Sequence, residues 1–79
     1  MARIVLASGK NCSESHTTKG FLINPSAASW EVIFTDSTGK KVFEAGGAAD
    51  MSFFAPVEVT FDAANMSTAT NITTVIIYT

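Results

Sequence analysis

The sequence predicts an all-β fold, a small antiparallel β-sandwich or barrel of about six short strands. Three observations predict it. Apolar and polar residues alternate over "WEVIFTD" and "VEVTFD" with the period of a half-buried strand. Turn chemistry recurs at short intervals, in "NP", "DSTGK" and "GG". The closing stretch "ITTVIIYT" is dense in β-branched residues, and no segment shows a helical stripe.

Taken in order, Ile4–Ala7 is a short apolar run ended by Ser8-Gly9, the first strand. Lys10–Lys19, "KNCSESHTTK", is polar and aperiodic, which predicts a long surface loop or a loose edge. Phe21–Ile23 is a second strand, stopped by Asn24-Pro25. Trp30, Val32 and Phe34 alternate with Glu31, Ile33 and Thr35 to give a third. "DSTGK" then supplies a turn. Asp36 can bond the backbone two residues on, Gly39 tolerates positive φ, and "KVFEA" completes a hairpin.

Gly46–Asp50 reads as a flexible break. "MSFFAP" leads to Pro56, which suits a sheet edge or a bend. Val57, Val59 and Phe61 oppose Glu58, Thr60 and Asp62, the cleanest amphipathic strand pattern in the chain. Ala63–Asn71 lacks a stripe and reads as loop. Ile72–Thr79 carries aliphatics on both faces and predicts a strand buried on both sides.

The chain has 79 residues, which make one domain, residues 1–79. Small domains close their stability deficit with disulfides, a metal or oligomerisation. Cys12 is the single cysteine, so no disulfide forms within the chain. Cys12 and His16 are too few for a closed zinc site, so no metal or other cofactor is expected. Oligomerisation is left, and a composition 47% hydrophobic and only 15% charged agrees with it. The formal net charge of −2 argues against nucleic acid as partner. No stretch has the apolar length of a signal peptide or a membrane span, which predicts a protein made in the cytoplasm with no membrane partner.

No catalytic constellation emerges, and the chain reads as not an enzyme. Cys12 and His16 stand i, i+4 in a polar stretch, a spacing that allows a nucleophile and base, but no third orienting group accompanies them. "SGKN" around Lys10 lacks the first glycine and the Ser/Thr of a phosphate-binding loop. Trp30 with Phe34 has the makings of a stacking platform for a sugar or a base, although such alternation is the pattern of a core. A six-stranded sandwich absorbs Trp30, Val32, Phe34, Val57, Val59 and Phe61 inside. Phe53, Phe54, Ile33, Val75 and Ile77 are then surplus, and Phe53, Phe54 and the terminal Val75, Ile76, Ile77 and Tyr78 are the candidate interface residues.

From about Trp30 onward the chain resembles small virion structural proteins of tailed bacteriophages, of the head-decoration or cement type. The features are "FFAPVEVTF", the Thr/Asn-rich "NMSTATNI" and the final "TVIIYT". The resemblance implies a homo-oligomer, often a trimer, that binds the major capsid protein on the outer shell and stabilises it in the virion. Two alternatives stand beside it. One is a tail or head-fibre component that contacts the host surface through Lys10–Lys19. The other is a stand-alone carbohydrate- or nucleic-acid-binding β module built on Trp30 and Phe34.

Overall fold

A computed structural model of the chain describes residues 2–79. Ten strands and no helix form among them: β1 Arg3–Ala7, β2 Asn11–Cys12, β3 His16–Thr17, β4 Gly20–Pro25, β5 Trp30–Thr35, β6 Lys41–Gly47, β7 Phe53–Ala55, β8 Thr60–Phe61, β9 Ala64–Thr70 and β10 Ile72–Tyr78. All pairings are antiparallel. The all-β expectation holds. The count exceeds the expected six because β2 and β3 are two-residue strands that leave almost no periodic signal, β7 is three residues ahead of Pro56, and β9 falls in a stretch expected to be loop.

The pairing is nested. β1 pairs with β10, β2 with β9, β3 with β8, β4 with β7 and β5 with β6. The chain is thus one long antiparallel ribbon, doubled back at the β5–β6 turn. Rolling the ribbon brings β10 against β4 and β9 against β5. The result is two four-stranded sheets, ordered β1-β10-β4-β7 and β2-β9-β5-β6, with β3-β8 as a small extra ribbon. A rolled ribbon that forms two packed sheets is the jelly-roll form of the sandwich.

The core lies between the two large sheets. Phe21 of β4 stacks on Phe43 of β6 at 4.0 Å and meets Phe34 of β5 at 5.8 Å. Ile23, Val75 and Ile77 from the first sheet, and Val32 from the second, are fully buried around them. Alternation positions these residues, since Trp30, Val32 and Phe34 all point inward along β5 as expected. The β5–β6 turn also forms as read: Asp36 Oδ1 accepts from the Thr38 N–H at 2.9 Å and the Lys40 N–H at 3.0 Å, and Gly39 has φ +86°.

Four expectations are corrected. Lys10–Lys19 is not a surface loop: it contains β2, an edge strand of the second sheet, and β3, and Cys12 and Thr18 are buried. Gly46-Gly47 is no flexible break but the end of β6, paired with Glu31 and Trp30. A Cβ on Gly47 would lie 2.8 Å from Trp30 Nε1, so the indole needs a glycine there. Ala63–Asn71 is largely β9, an inner strand of the second sheet. Finally, Val57–Asp62 keeps its alternation of burial but pairs as a strand only at Thr60–Phe61. Over Val57–Val59 one side chain takes the place of a neighbouring strand. Thr18 Oγ1 donates to the Val57 carbonyl at 2.7 Å and accepts from the Val59 N–H at 3.1 Å, and the Thr18 N–H donates to the Val59 carbonyl at 2.8 Å.

Candidate interaction surface

The register of the first sheet decides what its outer face presents. Val5 of β1 pairs with Ile76 of β10, Ile76 with Leu22 of β4, and Leu22 with Phe54 of β7. Side chains of directly paired residues share a face. Since Phe21, Ile23, Val75 and Ile77 point into the core, this row points out. An unbroken apolar row therefore crosses all four strands. Val5 is 56% exposed and Phe54 48% exposed, with Ile76 and Leu22 half-buried between them.

The rows on either side frame it. On one side lie Arg3, Tyr78 and Gly20 in register. The Phe54 ring reaches across to Gly20, where a Cβ would fall 2.5 Å from Phe54 Cζ, and its centroid stands 6.0 Å from the Tyr78 ring. An aromatic laid over a strand glycine covers backbone that would otherwise be open to water. On the other side lie Ala7, Thr74 and Asn24. This rim is polar: Asn24 Nδ2 donates to Thr74 Oγ1 at 3.0 Å, and Ser52 Oγ donates to Asn24 Oδ1 at 2.8 Å. An apolar row with a hydrogen-bonded rim has the anatomy of a contact surface. The outer face of the second sheet contrasts with it. There Glu31, Thr70 and Gly46 form one row, and Ile33, Thr68 and Glu44 the next.

The six candidate interface residues divide accordingly. Phe54, Ile76 and Tyr78 lie on the outer face together. Val75 and Ile77 do not: both are fully buried between the sheets, so the expected surface role is corrected to a core role. β10 is thus buried on one face and half-covered on the other, not buried on both. Phe53 is 45% exposed but belongs to the opposite side of β7, where it closes the open edge of the sandwich 5.9 Å from the Trp30 ring. Val5 and Leu22 were missed. Each alternates with neighbours turned toward the core, but only cross-strand register shows that they adjoin Ile76 and Phe54.

Beside Phe53 a small depression of about 220 Å³ is lined by Trp30, Gly46, Gly47, Ala49, Met51 and Phe53. Trp30 is buried in its floor and Nε1 donates to the Ala49 carbonyl at 3.1 Å, while Phe34 is fully buried, so the two do not form a platform. The Cys12 thiol is buried and donates to the Glu14 carbonyl at 3.7 Å, and His16 packs edge-on against Phe61.

Fold and surface together define a small jelly-roll module with one apolar outer face. No protein-family model, no curated protein and no solved structure matches the chain.

Proposed function

We propose that this chain is a structural, non-enzymatic virion protein that self-associates and docks on the outer shell of a capsid, stabilising the assembled form. The carrying observation is the apolar row Val5–Ile76–Leu22–Phe54 across one outer sheet face, set against a polar face on the other sheet. A module with one such face is suited to lie on a large surface with its polar sheet toward water. Jelly rolls serve in viral shells and in lectins alike, so the fold is compatible with this reading without selecting it. The sequence resemblance to head-decoration proteins supports the same choice.

In this reading the major capsid protein is the partner and the mechanism is mass action. A protein that binds the assembled shell and not its precursor favours the shell. Many identical copies make weak contacts sufficient through avidity. Catalysis, cofactors and nucleic acid play no part in it, and the protein is made in the host cytoplasm before joining the virion.

The test is co-sedimentation of the purified chain with expanded and precursor capsids of a tailed phage, together with the thermal disruption temperature of the shells. Binding to expanded shells, a raised disruption temperature and loss of both with Leu22→Asp are expected. Absence of binding to either form would remove the reading.

A further inference from the structure

We propose that two copies of this chain pair through the free edge of β1, antiparallel about a twofold axis at Val5, so that their first sheets become one continuous sheet. The backbone polarity of β1 points to this. The Ser8 N–H donates to the Thr73 carbonyl at 3.2 Å, and the Thr79 N–H donates to the Ala2 carbonyl at 3.0 Å. Both pairs continue the β1–β10 register. In an antiparallel ladder, hydrogen-bonded and non-hydrogen-bonded pairs alternate. The even-numbered residues of β1 therefore turn their amides and carbonyls to β10. Arg3, Val5 and Ala7 turn theirs outward, where no strand lies among the described residues.

This edge lacks the protection that the others carry. β7 is three residues long and is followed by Pro56, and β2 has two residues. β6 is irregular near Lys41, carries the Lys41–Glu44 ion pair and ends in two glycines. Such features deter edge-to-edge pairing. β1 is five residues long, regular in its pairing with β10, free of proline, and charged only at Arg3.

The occupant that fits residue for residue is a second β1. With Val5 opposite Val5, Arg3 falls opposite Ala7 and not opposite another Arg3, so no like charges meet. Ile4 falls opposite Leu6, and both belong to the core side, where Ile4 is only half-buried in the single chain. Val5 and its counterpart exchange two backbone hydrogen bonds, and each Arg3–Ala7 pair can exchange two more. The Ala7 carbonyl also accepts from the Lys10 N–H at 3.0 Å and uses its second lone pair for the partner. The apolar row on the outer face then continues from Val5 into the same row of the second copy. The contact is twofold and makes a dimer, where the sequence resemblance implies a trimer. It deepens the proposed assembly role by naming the self-contact, and it rests on that role only for the presence of a second copy.

Sedimentation velocity over a dilution series tests it, on the wild-type chain, Val5→Lys and Glu31→Lys, with circular dichroism to verify folding. Val5 is exposed, so Val5→Lys leaves the core intact while placing like charges opposite each other, and dimerisation weakens by about tenfold or more. Glu31→Lys, which places a lysine on the exposed outer face of the second sheet, dimerises as the wild type does. Amide hydrogen exchange supplies a reading without substitution: the Val5 amide gains protection as concentration rises, while the Ile4 and Leu6 amides are protected throughout. A wild-type chain that stays monomeric, or a folded Val5→Lys chain that dimerises as tightly as wild type, overturns the pairing. A monomer that still binds shells fails this inference alone; a β1 dimer that binds none fails the assembly reading alone.

Discussion

The side-chain amide of Asn71 donates to the Ser29 carbonyl at 3.2 Å and to the Ala28 carbonyl at 2.9 Å. Asn71 and Ser29 are the two non-glycine residues with positive φ among the described residues, at +55° and +59°. Each stands where the chain changes sheet: Ser29 between β4 and β5, Asn71 between β9 and β10. The Ser26 N–H donates back to the Asn71 carbonyl at 2.8 Å. Two left-handed corners are thereby locked together, and the ribbon rolls there instead of running on flat. Asparagine tolerates this conformation better than other residues with a Cβ. Asn71→Ala is expected to lose both the preference and the amide bonds, about 2–3 kcal/mol. Asn71→Gly keeps the conformation and loses about 1 kcal/mol. Urea denaturation with an unchanged m-value checks the order; equal losses would mean that the left-handed turn is unimportant.

Thr18 is fully buried, and its hydroxyl both donates and accepts. Thr18→Val preserves shape but strands the Val57 carbonyl and the Val59 amide. A loss of about 1–3 kcal/mol is expected, together with faster amide exchange at Val59. A Val variant as stable as wild type would show that water replaces the hydroxyl.

Gly20 lies under the Phe54 ring. Gly20→Ala drives the ring aside, because the end of that side chain can turn, and sets the new Cβ 3.0 Å from the Ala55 carbonyl oxygen, so β7 must shift by a few tenths of an ångström. The expected result is loss of the Phe54–Tyr78 proton contacts in nuclear magnetic resonance spectra, with a lowered melting temperature. Retention of those contacts would mean that the ring does not rest on Gly20.

Two exposed carboxylates predict the acid response. The Thr38 hydroxyl, with the Lys40 and Thr38 amides, holds Asp36 below the usual aspartate range. Asp62 is lowered chiefly by the Ser37 hydroxyl and then by the Ser37 amide. A folded-state value below the unfolded one stabilises the fold above the unfolded value, and that contribution is lost as pH falls through the folded value. Stability is therefore expected to decline below about pH 4, and the double variant Asp36→Asn, Asp62→Asn to flatten that decline. Parallel pH profiles for variant and wild type would remove the two turns from the explanation.

Much of the local structure was legible because local chemistry alone decides it. The inward Trp30, Val32 and Phe34, the Asp36–Gly39 turn and the edge position of β7 before Pro56 all depend on side-chain alternation and backbone preference. β9 was not legible, and the cause is a bulge. Its inward residues are Ala64, Met66 and Ala69, because the register with β5 slips between Ile33 and Phe34. The slip in β10 similarly places Ile72, Val75 and Ile77 on one face. An extra residue on one strand breaks the two-residue period that sequence reading relies on.

The sequence by itself determined that the chain is β throughout, small, and richer in apolar side chains than one thin core can absorb. Tertiary structure alone decided where the surplus goes. Alternation states which residues share a face within a strand, but says nothing about which strands are neighbours. Val5, Ile76, Leu22 and Phe54 lie far apart in the chain, and only the rolling of the ribbon, which brings β10 between β1 and β4, aligns them as one surface.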